Sequence, residues 1–375
     1  MEGKQFFTTQ FGEKIELIPG YGDSTGFNKK KALAGKKLNE VYERLHYVEG
    51  SSINIEVDNF GRDVITYALL MDFLEDNGLL PKEGYNRSID IGGREGIHAA
   101  LFRAQHSKYA VSADLMDGND PDFAEKMKKI IQNQKKHKWG EMLLEDNPIT
   151  APILGKLFPG KKSRRHMTMC GVEPSKKNFY NFNFKREADV DKFMVGDFLN
   201  TSVDGKFDMA TCFLALCLID YKKLVEKVSS MLEPGGVFAF FERYTWGPGP
   251  VTGLSGDFPY FEKRMTLEDI KKYYQEFKPD ELEYVEKLYN HHDPTRTSIK
   301  QYVDHSYDAG LNLIAFKPLV VPFLSDTIDE TYKPGDPINR DINAKEVLRD
   351  INHFRADIDL RDLFTSYFMM AFKKV

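Results

Sequence analysis

Cysteine is scarce in this chain, with three in 375 residues. Cys170, Cys212 and Cys217 are odd in number and follow no metal-ligand or redox spacing. That pattern argues against a disulfide-stapled scaffold, a zinc site and a dithiol redox centre, and points to reduced thiols packed as small hydrophobes in a cytoplasm-like compartment. Long hydrophobic runs are also lacking: the most continuous, Met209 to Ile219, is too short to span a bilayer. Met1 to Lys14 mix both charge signs without an apolar core, so no secretory leader is expected there. Nor does charge of one sign dominate, because 52 Lys and Arg face 57 Asp and Glu for a net charge of -5. A chain of that balance is not built around nucleic acid. No internal repeat or low-complexity tract is present, so solenoid and disordered classes fall away. What remains is a soluble globular composition, 41% hydrophobic and 29% charged, long enough for one large domain with additions.

The first 85 residues hold two helical patterns. Lys30 to Val48 is one, and Asp63 to Asp76 the other, with Val64, Tyr67, Ala68, Met71 and Leu74 on one face and Gly78 and Pro81 closing it. Neither carries a chemical motif, and together they read as an N-terminal helical cap. From residue 86 short apolar strands alternate with helices: Arg87 to Ile91, Tyr109 to Ala113, Lys192 to Val195, Phe207 to Phe213, Gly236 to Phe241, Leu311 to Val320 and Ser366 to Phe372. Helices at Gly96 to Gln105 and Tyr221 to Leu232 fall between them. Seven strands in that rhythm predict an α/β fold with a doubly wound, largely parallel sheet. One segment breaks the rhythm, an insertion over about residues 116–166 in which Pro121 to Trp139 reads as helical. Between Lys126 and Arg165 eleven Lys and Arg face Glu141, Glu145 and Asp146, a net charge of +8. The remainder is therefore acidic, and this one basic projection is either a lid that recruits an anionic acceptor or a solvated addition.

The most informative stretch is Ser88-Ile89-Asp90-Ile91-Gly92-Gly93-Arg94-Glu95-Gly96. A strand runs into a glycine cluster that opens a helix, which brings backbone N–H groups and a helix N-terminus to the carboxyl edge of a sheet. Asp114 ends the next strand, 22 residues past Gly92, where an acid can accept both hydroxyls of a ribose. A ligand-free tight turn is the plain alternative. The spacing of Gly92, Gly93 and Gly96 is not the full dinucleotide fingerprint.

With three further segments the sequence resembles the class I, Rossmann-like S-adenosylmethionine-dependent methyltransferases. Phe193 to Phe198 resembles that family's Gly-Asp-aromatic segment, Phe207 to Phe213 its fourth-strand motif, and Leu232-Glu233-Pro234-Gly235-Gly236 its turn into the fifth strand. The resemblance covers about residues 86–375 without the insertion. It implies S-adenosylmethionine as cofactor, contacted by Asp90, Gly92, Gly93, Arg94 and Gly96, with Asp114 on the ribose, Asp197 and Phe198 on the adenine, and Cys212 and Phe213 beside it. Two departures stand out. Arg94 replaces a usual glycine, and its guanidinium either crowds the cofactor or pairs with its carboxylate. Gly171-Val172-Glu173-Pro174-Ser175 also resembles the family's second-strand ending, so Glu173 is an alternative ribose acid.

Methyl transfer from a sulfonium needs alignment, a dry pocket and, for weakly acidic acceptors, a base. The acceptor region is expected over about residues 244–308, with Glu242, Arg243, Tyr244 and Trp246 as lining candidates and His292 as a candidate base. A paired strand end for Glu242, packing for Trp246 and a surface position for His292 are the structural alternatives. The expected function is methylation of a small, possibly anionic molecule. A nucleic-acid methyltransferase using the basic insertion and a non-catalytic cofactor-binding module are the alternatives; no metal and no membrane partner is expected.

Overall fold

The structure, a computed structural model, describes residues 4–18, 57–94, 96–115, 175, 190–247, 254, 256–291, 296–320 and 344–375. The helix expected at Lys30 to Val48, the basic insertion, Cys170, Glu173 and His292 lie outside them.

Among the described residues seven strands form one sheet. They are β3 (Ser88–Ile91), β4 (Ala110–Asp114), β5 (Lys192–Val195), β6 (Phe207–Phe213), β7 (Leu232–Arg243), β8 (Leu311–Val320) and β9 (Thr365–Lys374). Their order is β5-β4-β3-β6-β7-β9-β8. The pairs from β5 to β7 are parallel, and β9 is antiparallel to both β7 and β8. The chain steps outward from β3 to β5 and then restarts beside β3 with β6. That reversal is the topological switch point of a doubly wound sheet, where the strand ends open a crevice. The strands fall where the hydrophobic pattern predicts them, except that β7 begins earlier than Gly236 and includes Pro234 and Gly235. A register shift between Phe207 and Met209 accommodates that start.

Alternation along β7 sorts the two faces. Phe238 and Phe240 join one core with Leu224, Val225 and Val228 of α3 (Tyr221–Met231) and Tyr302 of α6 (Ile299–Asp308). Val237, Ala239 and Phe241 point into the opposite core, with Tyr67, Leu70 and Leu74 of α1 (Val57–Asp76) and Phe102 of α2 (Ile97–Gln105). The period of two thus buries both faces, as a covered parallel sheet requires. Helix α1 starts before Asp63 and lies on the sheet itself. Its buried residues Tyr67, Leu70 and Leu74 cover that face.

A third core was not foreseen. Strands β1 (Phe6–Thr8) and β2 (Lys14–Glu16) pair antiparallel, and Phe7, Ile15 and Leu17 pack on Phe258, Phe261, Ile270 and Tyr273. The last two belong to α4 (Leu267–Phe277), which precedes α5 (Leu282–His291). Three-residue strands are too short to show a period. Helix α4 did carry a readable signal, the Thr266/Asp269 capping box, in which the Thr266 hydroxyl accepts from Asp269 N at 3.2 Å. Helices α7 (Ala344–Asn352) and α8 (Leu360–Phe364) complete the described elements. Arg264 is clamped to Asp350 of α7, Nε to Oδ2 at 2.8 Å and Nη2 to Oδ2 at 2.6 Å, both side chains almost wholly buried. This joins the third core to the sheet.

Phe240 touches Tyr221, Tyr302, Phe368 and Phe372 with ring centroids 5.6 to 6.1 Å apart. Phe240→Ala is expected to lower stability by about 3–5 kcal/mol in urea unfolding. Leu313→Ala, on an exposed side chain of β8, should stay within about 0.5 kcal/mol. Equal effects would contradict the assignment of the core.

Candidate functional site

The site is built on the turn after β3. Gly92, Arg94 and Gly96 have φ of 73°, 46° and 76°, so every second residue is left-handed. At Gly92 a Cβ would lie 2.3 Å from Ala215 Cβ, on the loop that follows β6. At Gly93 it would lie 2.4 Å from Ser112 Oγ and 2.7 Å from Asp90 Oδ2, and at Gly96 2.8 Å from the Phe193 ring. Glycine is demanded here by close approach from three neighbouring strands as well as by conformation. Arg94 has no such freedom, and a left-handed arginine is strained backbone of the kind that gathers at functional sites. Its N–H donates to Asp114 Oδ2 at 2.9 Å, which ties the glycine turn to the end of β4.

Below this surface the expected contact residues are part of the fold. Asp90 is buried, and its Oδ1 accepts from Thr211 Oγ1 at 2.9 Å. Cys212 is fully buried, and its thiol pKa is pushed well up by burial and by Glu242 and Asp90. Phe213 is buried and stacks on His98 at 3.9 Å between centroids, 13° from parallel. Phe198 is buried in the first core with the Lys227 ammonium 4.9 Å above its ring. Asp197 is exposed and caps the turn after β5, accepting from Leu199 N at 3.0 Å and Asn200 Nδ2 at 2.6 Å. Asp114 is half-buried at the end of β4, and Gly92 N and Gly93 N donate to the carbonyl of Ala113 beside it at 2.8 and 3.3 Å.

The acceptor-side candidates also divide. Glu242 is buried, Oε2 accepting from Leu216 N at 2.7 Å and Oε1 from Arg243 N at 2.8 Å. Tyr244 is buried, donates to Asp362 Oδ1 at 2.5 Å and accepts from Ile299 N at 3.1 Å. Burial and that carboxylate hold its phenol well above the ordinary range. Trp246 is buried with Nε1 donating to Arg296 O at 2.9 Å and the Arg355 guanidinium 4.7 Å over the ring. The polar atoms of Glu242, Tyr244 and Trp246 thus hold strand ends and loops together. Arg243 stays half-buried at the end of β7.

Two groups escaped the sequence reading. His98, on the first turn of α2, has Nε2 3.5 Å from Thr66 Oγ1 and Nδ1 3.9 Å from Asp90 Oδ2. Glu262, Lys263 and Arg264 are consecutive charges that read as surface yet are all buried. Lys263 Nζ donates to Gly247 O and lies 5.6 Å from the Tyr260 ring centre. Desolvation outweighs the help of Glu262 and, with Arg243 and Arg296, brings its pKa down to about 7. The signal available was the aromatic run around it, Phe258, Tyr260 and Phe261, which marks a buried segment.

Among known proteins, a family described as a methyltransferase domain matches residues 155–240. That span includes Gly196, Asp197 and the Pro234-Gly235 turn, and begins after the glycine turn. Solved structures similar to the chain include an S-adenosylmethionine dependent methyltransferase from Mesorhizobium loti, 13% identical, covering 81% of this chain and 97% of that one, TM-score 0.37. Another is the N-methyltransferase NodS of Bradyrhizobium japonicum WM9 in complex with S-adenosyl-l-homocysteine, 10% identical, covering 90% and 97%, TM-score 0.35. A third, from Galdieria sulphuraria, is described as a sarcosine dimethylglycine methyltransferase, 14% identical, covering 82% and 84%, TM-score 0.37. No curated protein sequence matches the chain.

The strand order is that of a doubly wound, Rossmann-like sheet, and the methyltransferase-domain match covers part of it. At its switch point a turn of alternating left-handed residues stands beside an edge acid bonded to it. Among the described residues no helix is long and apolar enough to cross a membrane, and no cluster of metal-ligating side chains occurs.

Two outcomes follow. Gly92→Ala combines a left-handed Cβ with a clash on Ala215, and should cost roughly 2–4 kcal/mol in denaturant unfolding; an unchanged midpoint would falsify the packing described. Lys263 binds its proton up to about pH 7 when folded, against 10.5 in its ordinary state. Across that window the unfolded chain holds the extra proton, so this residue makes stability rise with pH. Lys263→Met should flatten that rise in thermal melts taken between pH 7 and 10, and an unaltered slope would count against it.

Proposed function

We propose that this chain is an S-adenosylmethionine-dependent methyltransferase that transfers a methyl group to a small-molecule acceptor at the crevice between β3 and β6. The observation that carries this is the bond from Arg94 N to Asp114 Oδ2. It fixes an acid beside a glycine turn at the switch point, the arrangement that grips a ribose and a charged tail together. Asp114 takes the ribose hydroxyls in this reading; Glu173, inside the span that matches the methyltransferase family, is the competing acid. The turn from Gly92 to Gly96 lies along the methionine end, where the Arg94 guanidinium pairs with the carboxylate. Asp197 faces the adenine, while Phe198, Cys212 and Phe213 act as walls and Asp90 as the support of the turn.

The bound cofactor supplies an electrophilic methyl group. The chain's own part is to align the acceptor for in-line attack and to keep water out, which the buried polar layer beneath the turn favours by its rigidity. His292, between the end of α5 and Arg296, is the proposed base for acceptors that must lose a proton. The thiols of Cys212 and Cys217, free of disulfide bonds, suit a reducing, cytoplasmic setting.

Isothermal titration with S-adenosylhomocysteine should show saturable heat. Asp114→Asn should weaken it about 10- to 100-fold, the worth of charge-assisted hydrogen bonds, and Glu173→Gln should leave it within about twofold. Absence of heat with the wild-type chain would sink the reading, and the reverse pattern in the two variants would transfer the ribose to Glu173.

A further inference from the structure

We propose that Lys227 is a positioning residue for the base of the cofactor: from α3 it fixes the turn after β5, and with it the direction in which Asp197 faces the adenine. The proposal rests on the reading of the chain as an S-adenosylmethionine-dependent methyltransferase and adds a residue to it.

The turn sits where the sheet gives it little support. Among the described strands β5 stands at the edge of the sheet, four residues long and paired with β4. Its last residue, Val195, is in register with Asp114, and Gly196 N donates to Asp114 O at 2.9 Å. The chain then bends sharply. Gly196 has φ of 128°, and a Cβ there would lie 3.1 Å from Thr201 Oγ1. Asp197 O accepts from Asn200 N at 3.0 Å, Thr201 N at 2.9 Å and Thr201 Oγ1 at 2.8 Å. The Asp197 carboxylate closes the same turn from within, Oδ1 accepting from Leu199 N and Oδ2 from Asn200 Nδ2. Those two bonds use part of a carboxylate's acceptor capacity, about four lone-pair directions, so this exposed acid is oriented and still able to accept from an amino group.

Lys227 completes that closure from the other half of the fold. It lies on α3, which follows β6, while the turn follows β5, with β4 and β3 between the two strands. Its Nζ donates to Phe198 O and, at 2.5 Å, to Thr201 O, and stands 4.9 Å from the centre of the Phe198 ring. One ammonium thus holds both ends of the segment 198–201. The Phe198 ring is buried in the core that contains Leu224, Val225 and Val228 of the same helix. An apolar side chain at position 227 would pack on that ring as well, and would avoid drawing an ammonium partly out of water. It would supply no donor to the two carbonyls, whose direction sets the shape of the turn. The lysine therefore does what packing alone does not require.

Titration calorimetry on the full chain tests this, with S-adenosylhomocysteine and with S-inosylhomocysteine, in which an oxygen replaces the amino group of the base. An acceptor-only carboxylate favours the first, so the unmutated chain should bind it at least about tenfold more tightly. Lys227→Met should weaken S-adenosylhomocysteine about tenfold and leave the inosine analogue within about twofold, so that the preference collapses. A merely structural lysine would weaken both ligands together. If thermal melts show that the methionine variant does not fold, Lys227→Gln, which keeps an N–H donor, replaces it, with a loss of at least about threefold in the preference. No preference in the unmutated chain, an unaltered preference in the folded variants, or an equal loss for both ligands overturns the proposal. Failure of the cofactor reading registers separately, as absence of heat with either ligand in the unmutated chain.

Discussion

The contact of Gly92 with Ala215 is the constraint on which the site depends. Two parallel strands, β3 and β6, leave the sheet at the switch point, and their following loops must pass each other with no room for a side chain between them. Because Ala215 is held there, Leu216 presents its N–H to Glu242 at the end of β7. Because Gly92 is held there, the turn can raise the Arg94 N–H toward Asp114. One close approach thus sets the relative positions of four strand ends.

Beneath that contact lies a layer of buried polar groups rather than a continuous apolar core. Asp90 with Thr211 and Glu242 with two backbone N–H groups lie on the central strands, and His98 with Thr66 on the helices α2 and α1 beside them. Buried carboxylates are costly unless hydrogen-bonded, and when satisfied they specify a single arrangement. The apolar faces of β7 supply the bulk of the stability. The polar layer makes the edge rigid, which is the property that alignment chemistry needs.

Much of the fold was legible along the chain because its parallel strands are short apolar runs separated by helices, and each strand falls within a few residues of its expected place. The glycine turn and Asp114 were legible because local conformation and a fixed loop length bring them together. The acceptor side was not. Glu242, Tyr244 and Trp246 looked available as polar or aromatic residues on a loop, yet Leu216, Asp362 and Arg296 occupy their polar atoms. Those partners are 26, 118 and 50 residues away. The hairpin at residues 6–16 was hidden for the same reason, since Phe258 and Phe261 come to cover it from far along the chain.

The sequence by itself therefore determined the sheet, its winding and the acid-and-glycine geometry of the switch point, because these follow from periodicity and from turns that close over a few residues. Only the tertiary structure decided which charged and aromatic side chains support the fold and which border the crevice. That choice depends on burial and on hydrogen-bond partners far along the chain, and neither quantity is a property of local sequence.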